Sequence, residues 1–282
     1  MKLLRYGAPG EERPGILDTE GNIRSLAGIV SDISGPILSE EVLERIMLLD
    51  VGSLPRVENT VRLGPCVGSV SKVVGVAQNY HCFVSHAGLP QPKHPILFFK
   101  PPSSISGPTD DIMLDSDEGK ADWEIELGVV IGRAARSVAI EDAMDYVAGY
   151  CMLNDITERG KVALTGQFVD GKSADTFTPI GPYLVTKDEI EDHKRLGIYF
   201  DLNGDRYQNG NTSSMIFGVD FLISHISKLM TLVPGDIIAT GTPRGVGARA
   251  VPPRFLRAGD QLLASIDQLG LQVSRVIKKS NG

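Results

Sequence analysis

Three carboxylates carry the clearest chemistry in this sequence. In Asp122-Trp-Glu-Ile-Glu-Leu-Gly-Val-Val-Ile-Gly132, Glu124 and Glu126 stand two residues apart. In a strand, side chains alternate between faces, so both glutamates project to one side while Trp123, Ile125 and Leu127 project to the other. From Leu127 to Ile131 the stretch is uncharged and apolar, as expected of a strand buried on both faces. Two like charges on a partly buried face repel and lose hydration; they need a cation, or one must hold a proton. A third carboxylate, Asp155, ends the run Val147-Ala-Gly-Tyr-Cys-Met-Leu-Asn154, at the mouth of a second candidate strand. Three carboxylates with no neighbouring Cys or His suit a hard divalent ion, Mg²⁺ first, with Mn²⁺ or Ca²⁺ as alternatives. The plain alternative is an exposed strand face with solvated glutamates.

Strands that hold such groups are expected at Lys72–Ala77, Ile96–Phe99, Glu124–Ile131, Gly149–Leu153, Ile198–Leu202, Asp236–Ala239 and Gln261–Ile266. Helices are expected at roughly 140–147 and 219–230, the second with Phe221, Leu222, Ile226, Leu229 and Met230 on its apolar side. Strands and helices do not alternate regularly, which argues against a doubly wound parallel sheet and for an α+β, mostly β fold, a mixed roll or barrel. Residues 1–68 read as a small α+β domain of their own. It has short strands at Lys2–Tyr6 and Gly15–Leu17, and a helix after Ser39 with Glu40 and Glu41 in its first turn. The unit over 69–282 follows.

The composition agrees with an ordinary globular protein. The chain has 282 residues, 42% hydrophobic and 22% charged, with 31 Gly and 17 Pro. That length fits one large domain with a small companion, and the Gly and Pro content favours many turns over a helical bundle. The formal charge of −7 and the lack of a basic stripe argue against nucleic-acid binding. No window reaches ~18 uninterrupted apolar residues, so no membrane span is expected. The N-terminus lacks the basic and apolar regions of a signal peptide. Cys66, Cys82 and Cys151 are odd in number and lack CxxC spacing, which favours a reducing, cytoplasmic setting.

The strings DWEIELGVVIG, YVAGYCMLNDITER, GKSADTFTPIGPYLVT and LVPGDIIATGTPRGVG, in that order, closely resemble the fumarylacetoacetate hydrolase superfamily over about residues 72 to 270. Among its members the chain is most similar to bacterial ones labelled acylpyruvase, 2,4-diketo-3-deoxy-fuconate hydrolase, ureidoglycolate lyase or heptadienedioate isomerase. The resemblance implies that family's mixed β-roll and a homodimer. It also implies a divalent metal on Glu124, Glu126 and Asp155, the residues singled out above. A 2-oxo acid can chelate such a metal through its ketone and carboxylate oxygens, and an enolate is then stabilised when the neighbouring bond breaks. The resemblance places Lys172 where it would neutralise enolate charge. It places Arg159, Thr242 and Tyr80 where they would bind substrate, a guanidinium fork being well suited to a carboxylate. For Arg159 a surface ion pair is the plainer reading, and for Thr242 a turn position.

Lys172 also lies in Gly166-Gln-Phe-Val-Asp-Gly-Lys172-Ser173, a letter-for-letter match to the phosphate-loop pattern. Pro179 and Pro182 follow too soon for the helix that such a loop requires, and Asp170 would repel phosphate. Zinc on His81, Cys82 and His86 matches no familiar spacing.

One part of the family pattern is broken. Relatives carry NYxxHxxE on a lid, whose His and Glu activate water. Here Asn79-Tyr80 is followed by Phe83 and His86 at those two positions, and a Gln expected after the arginine is Val162. Phe83 cannot accept a proton. His86 is the best substitute base, with His81 and His94 nearby. The resemblance implies C–C bond hydrolysis of an acylpyruvate-like 2-oxo or 2,4-dioxo acid, and the missing dyad counts against it. Decarboxylation or keto–enol isomerisation is the alternative that needs no activated water, and a binding protein that keeps the pocket is a third reading.

Overall fold

The computed structural model describes residues 1–116 and 119–279. Four strands open the chain: β1 (Lys2–Tyr6), β2 (Arg13–Leu17), β3 (Ile23–Ser25) and, after helix α1 (Glu40–Met47), β4 (Arg56–Val57). β5 (Val73–Ala77) and β6 (Ile96–Lys100) flank the short helix α2 (His81–His86). β7 (Ile105–Ser106), β8 (Ile112–Leu114) and β9 (Ala121–Asp122) lead to the long hairpin of β10 (Ile125–Ile131) and β11 (Val147–Asn154). Then come β12 (Thr157–Glu158), α3 (Arg159–Thr165), α4 (Phe168–Lys172), β13 (Thr178–Pro179) and β14 (Leu184–Thr186). The last elements are β15 (Gly197–Leu202), β16 (Asp205–Asn211), α5 (Val219–Leu229), β17 (Ile237–Ala239), β18 (Gln261–Ile266) and β19 (Gly270–Lys278).

Ten strands form one sheet in the order β4-β3-β2-β1-β14-β11-β10-β17-β5-β6, and five form a second, β16-β15-β18-β19-β8. The mostly β, α+β architecture is thus the expected one, but the barrel is not: among the described residues neither large sheet closes. The outer edge β4 is only two residues long, too short a ladder to pair with β6 across the opening. β1 pairs with β14, Leu3 opposite Leu184, so residues 1–68 extend the same sheet that carries the long hairpin.

The apolar run of β10 is buried on both faces. Ile125, Leu127, Val129 and Ile131 pack into a core shared with Ile198 and Phe200 of β15 and Leu222, Ile223 and Ile226 of α5. Val130, on the opposite face, joins Leu43 and Ile46 of α1 in a second core. Trp123 anchors the start of this strand. It stacks on Phe200 with ring centroids 4.9 Å apart, meets Tyr207 edge-on at 4.9 Å, and donates its indole N–H to Gly245 O at 3.0 Å. Trp123→Ala is expected to cost about 3–5 kcal/mol of unfolding free energy in urea titration, because it opens a cavity and orphans that carbonyl. A loss below ~1 kcal/mol would contradict this packing account.

The helix expected at 140–147 is replaced by one 3₁₀ turn, Ala143–Tyr146. Val147 is already paired in β11 opposite Ile131, and sheet pairing leaves too few residues for an α-helix. Conversely, α3 and α4 form where no helix was foreseen. Among the described residues, no helix is long and apolar enough to cross a membrane.

Candidate active site

The hairpin register assembles the carboxylates. β10 and β11 run antiparallel with Ile125 opposite Asn154, so the residues just outside the ladder, Glu124 and Asp155, become neighbours. Asp155 N–H donates to Glu124 O at 2.8 Å, and Glu124 N–H donates to the Asn154 side chain at 3.0 Å. Glu126 shares the face of Glu124, and one carboxylate oxygen from each of Glu124, Glu126 and Asp155 lies within 4.8 Å of the others. All three side chains are buried, which removes the reading of solvated surface glutamates.

Cations surround two of the three. Lys172 Nζ, also buried, donates to Glu124 Oε2 at 2.8 Å, to Thr157 Oγ1 at 2.7 Å and to Asp155 Oδ2. Its ammonium lies 4.5 Å from the centre of the Phe98 ring. Lys172 arrives there because α4 approaches α3 closely: a Cβ on Gly171 would fall 2.4 Å from Val162 Cγ2 and 2.5 Å from Glu158 O. Arg159 Nη2 donates to Glu124 Oε1 at 2.8 Å, while its Nε donates to Asp122 Oδ2 at 3.0 Å. Pairing of β9 with β12, Thr157 opposite Asp122, sets that geometry.

Glu126 is served differently. Its Oε2 accepts one amide, Gly241 N–H at 2.7 Å, from a glycine whose φ of +94° few other residues tolerate. Burial pushes the Glu126 carboxyl well above its usual range, and Asp155 and Glu124 add to the effect. Burial acts on Glu124 in the same direction, yet Arg159 and Lys172 outweigh it and hold that group at about 2. Lys172 is raised because Asp155 and Glu124 overcome the burial that would lower it.

Two residues were missed by sequence reasoning. Lys100, buried at the end of β6, lies 2.6 Å from Asp155 Oδ1, and burial lowers its ammonium to about 8. Asp122 is buried under Arg159 and accepts Gly247 N–H at 2.6 Å and Ala248 N–H at 3.1 Å. A signal existed for each: a lysine closing the apolar run Ile96–Phe99, and an acid opening the string that carries the glutamates.

The donor set fits a hard divalent cation. It is all oxygen, and among the described residues Glu126 accepts a single, neutral hydrogen bond. A cleft of about 260 Å³ opens over it, floored by Glu124 and Lys172 and walled by Phe83, Leu89, Phe98, Phe168 and Val246. Arg159 and Thr242 also line it. The Thr242 hydroxyl, however, donates to Ile125 O at 2.8 Å and accepts from Gln208 Nε2 at 2.8 Å, so its single hydrogen is committed to the backbone. Tyr80 is fully buried beneath the cleft lining, its hydroxyl without a hydrogen-bond partner among the described residues.

The substitute base is not brought in. His86 ends α2 on the exposed side, as His81 begins it, and His94 is exposed as well. Phe83 lines the cleft, and no histidine does among the described residues. The phosphate-loop match dissolves too: Gly166 ends α3 at a φ of +74°, Ser173 follows α4, and β13 comes next. Cys66, Cys82 and Cys151 are free thiols.

Comparison with known proteins agrees with this geometry. Residues 72–277 match the fumarylacetoacetate (FAA) hydrolase C-terminal family. A Burkholderia cenocepacia protein, named only as a candidate hydrolase, is 50% identical over 275 residues, covering 97% of this chain and 98% of its own. The structure of maleylpyruvate hydrolase from Sphingobium sp. SYK-6, in complex with manganese(II) ion and pyruvate, has a TM-score of 0.83 at 31% identity. The match covers 99% of this chain and 100% of that one. That of 5-carboxymethyl-2-hydroxymuconate delta-isomerase from Mycobacterium smegmatis has a TM-score of 0.77 at 27% identity, with both chains fully covered. The chain therefore belongs to the fumarylacetoacetate hydrolase family and is one of its enzymes.

Proposed function

We propose that the protein hydrolyses a C–C bond of an acylpyruvate-like 2,4-dioxo acid, with Mg²⁺ or Mn²⁺ held by Glu124, Glu126 and Asp155. The observation that carries this reading is the buried oxygen-only triad beside the Lys172 ammonium, with Glu124 and Lys172 at the floor of one cleft. A divalent ion held there supplies Lewis acidity for the charge that develops on the 2-oxo group. In the balanced reaction, water adds to the distal carbonyl and the bond between the two carbonyl-bearing arms breaks. Its electron pair passes into the pyruvate enolate, which takes up a proton. Lys172 is fixed by three acceptors and needs no reorganisation to face that charge. Arg159 is locked by Asp122 and Glu124 and presents the rest of its guanidinium to a substrate carboxylate. The apolar walls exclude water around the reacting bond.

The second reading is decarboxylation or keto–enol isomerisation, and Phe83 in the cleft wall favours it, since neither reaction requires a base that activates water. Incubation with acetylpyruvate and with oxaloacetate, each with Mn²⁺ or after EDTA, separates the two. Hydrolysis predicts acetate and pyruvate from acetylpyruvate, at a rate that falls at least ~100-fold on chelation and returns with Mn²⁺. Pyruvate and CO₂ from oxaloacetate alone would select the second reading. Turnover indifferent to EDTA would remove the metal from both.

A further inference from the structure

The cations around the triad are spoken for. Lys172 is held by Glu124, Asp155 and Thr157, Lys100 by Asp155, and Arg159 by Asp122 and Glu124. One more cation lines the same cleft, Arg249. Among the described residues its guanidinium makes no hydrogen bond or ion pair. Gln78, which lines the cleft as well, has a side-chain amide that is equally unengaged among those residues. It is held at a φ of +58°, a conformation that is costly for a non-glycine residue and recurs at ligand clamps.

The backbone under Arg249 is firmly seated. It ends the 3₁₀ turn Gly247–Arg249, whose first two amides donate to the buried Asp122, at 2.6 Å from Gly247 and 3.1 Å from Ala248. The same carboxylate holds Arg159. A Cβ on Gly247 would lie 1.9 Å from Arg254 O and 2.7 Å from the Trp123 ring, so the turn sits tightly against its support. Arg249 itself is exposed at the mouth, whereas Lys172 and Glu124 line the buried floor.

We propose that Arg249, with Gln78, reads a second anionic group on the substrate, so that the preferred substrate is a dianion: an oxo acid with a carboxylate at the end of its tail. This rests on the oxo-acid reading of the triad. At the floor, a substrate's own 2-oxo carboxylate meets cations already shared with three protein carboxylates, Glu124, Asp155 and Asp122. At the mouth, an unpaired guanidinium with a fork of N–H donors meets the tail, and a carboxylate is the group that satisfies that fork on both edges. A neutral tail would leave it unused.

The test uses two non-cleavable probes that differ only at the tail, 2-oxoglutarate and 2-oxopentanoate, bound to the Mn²⁺-loaded protein in calorimetry. Wild type is expected to prefer 2-oxoglutarate by roughly tenfold to a hundredfold, the worth of a charge-assisted hydrogen-bond pair. Arg249→Gln should shrink that ratio towards one, and Arg249→Lys should restore part of it. A thermal melt of each variant controls for unfolding, which would weaken both probes together and leave the ratio unchanged. Equal binding of the two probes by wild type, or a ratio that survives Arg249→Gln, overturns the assignment. If neither probe binds while Mn²⁺ does, the oxo-acid reading itself falls and takes this inference with it.

Discussion

Glu126→Gln is expected to abolish divalent-ion binding and to lower turnover by about a thousandfold or more, because several kcal/mol of charge stabilisation are lost at 1.36 kcal/mol per tenfold. The same substitution should not weaken the metal-free fold. Glu126 is buried against Glu124 and Asp155 with, among the described residues, only the Gly241 amide as a donor, so its charge is a liability without a cation. A glutamine keeps the acceptor for that amide and removes the repulsion. Metal-free Tm should therefore hold or rise, while the upward shift of Tm that Mn²⁺ gives the wild type disappears. A fall in metal-free Tm together with a retained Mn²⁺ shift would show that Glu126 is a structural acid and no ligand.

Lys172→Met should show the opposite balance. The ammonium is buried between Glu124, Asp155 and Thr157, and removing one partner of such a buried network costs about 3–5 kcal/mol because the remaining charges are uncompensated. Activity is expected to fall about 10²–10³-fold, the usual loss when one preorganised donor to a developing oxyanion is removed. Added Mn²⁺ should recover part of the stability, since it offsets the same carboxylates, without recovering kcat. If kcat returned along with stability, Lys172 would be a counter-ion for the triad and nothing more. Denaturant titrations and initial rates, each with and without Mn²⁺, give both readouts.

The carboxylate triad was legible because it is a local matter. Period-two alternation puts Glu124 and Glu126 on one face whatever the strand pairs with, and an apolar run ending in Asn154-Asp155 announces a strand mouth. What brings Asp155 to Glu124 is the hairpin register, which the sequence leaves to be inferred from the likeness of whole motifs. Lys100 was not legible for the opposite reason. Its role depends on β6 lying at the edge of the sheet beyond β5 and β17, a non-local arrangement that no spacing encodes. The three histidines illustrate the limit from the other side. Their chemistry made them candidates, yet an exposed position on or after a six-residue helix is decided by which face of α2 packs, and that face is Phe83 and Val84. The missed helices α3 and α4 are seven and five residues long, too short to show a period, and tertiary contacts hold them, as the crowding at Gly171 shows.

The hairpin has one irregularity, a register shift between Val130 and Ile131, at the end away from the ligands. Because side chains in a strand alternate strictly, a single inserted or deleted residue between Glu124 and that shift would turn Glu126 or its partner strand to the other face and dismantle the carboxylate cluster outright. Beyond the shift, Ala135, Val138 and Ala143 are buried and the first two are hydrogen-bonded to Leu232 and Ser227, so the exposed stretch 139–142 is where the chain can lengthen or shorten without moving the carboxylates. The fold thus confines its tolerance for length change to one end of the hairpin. Loop grafts, tags or reporter insertions in this enzyme belong there, and circular permutation should open the chain there too.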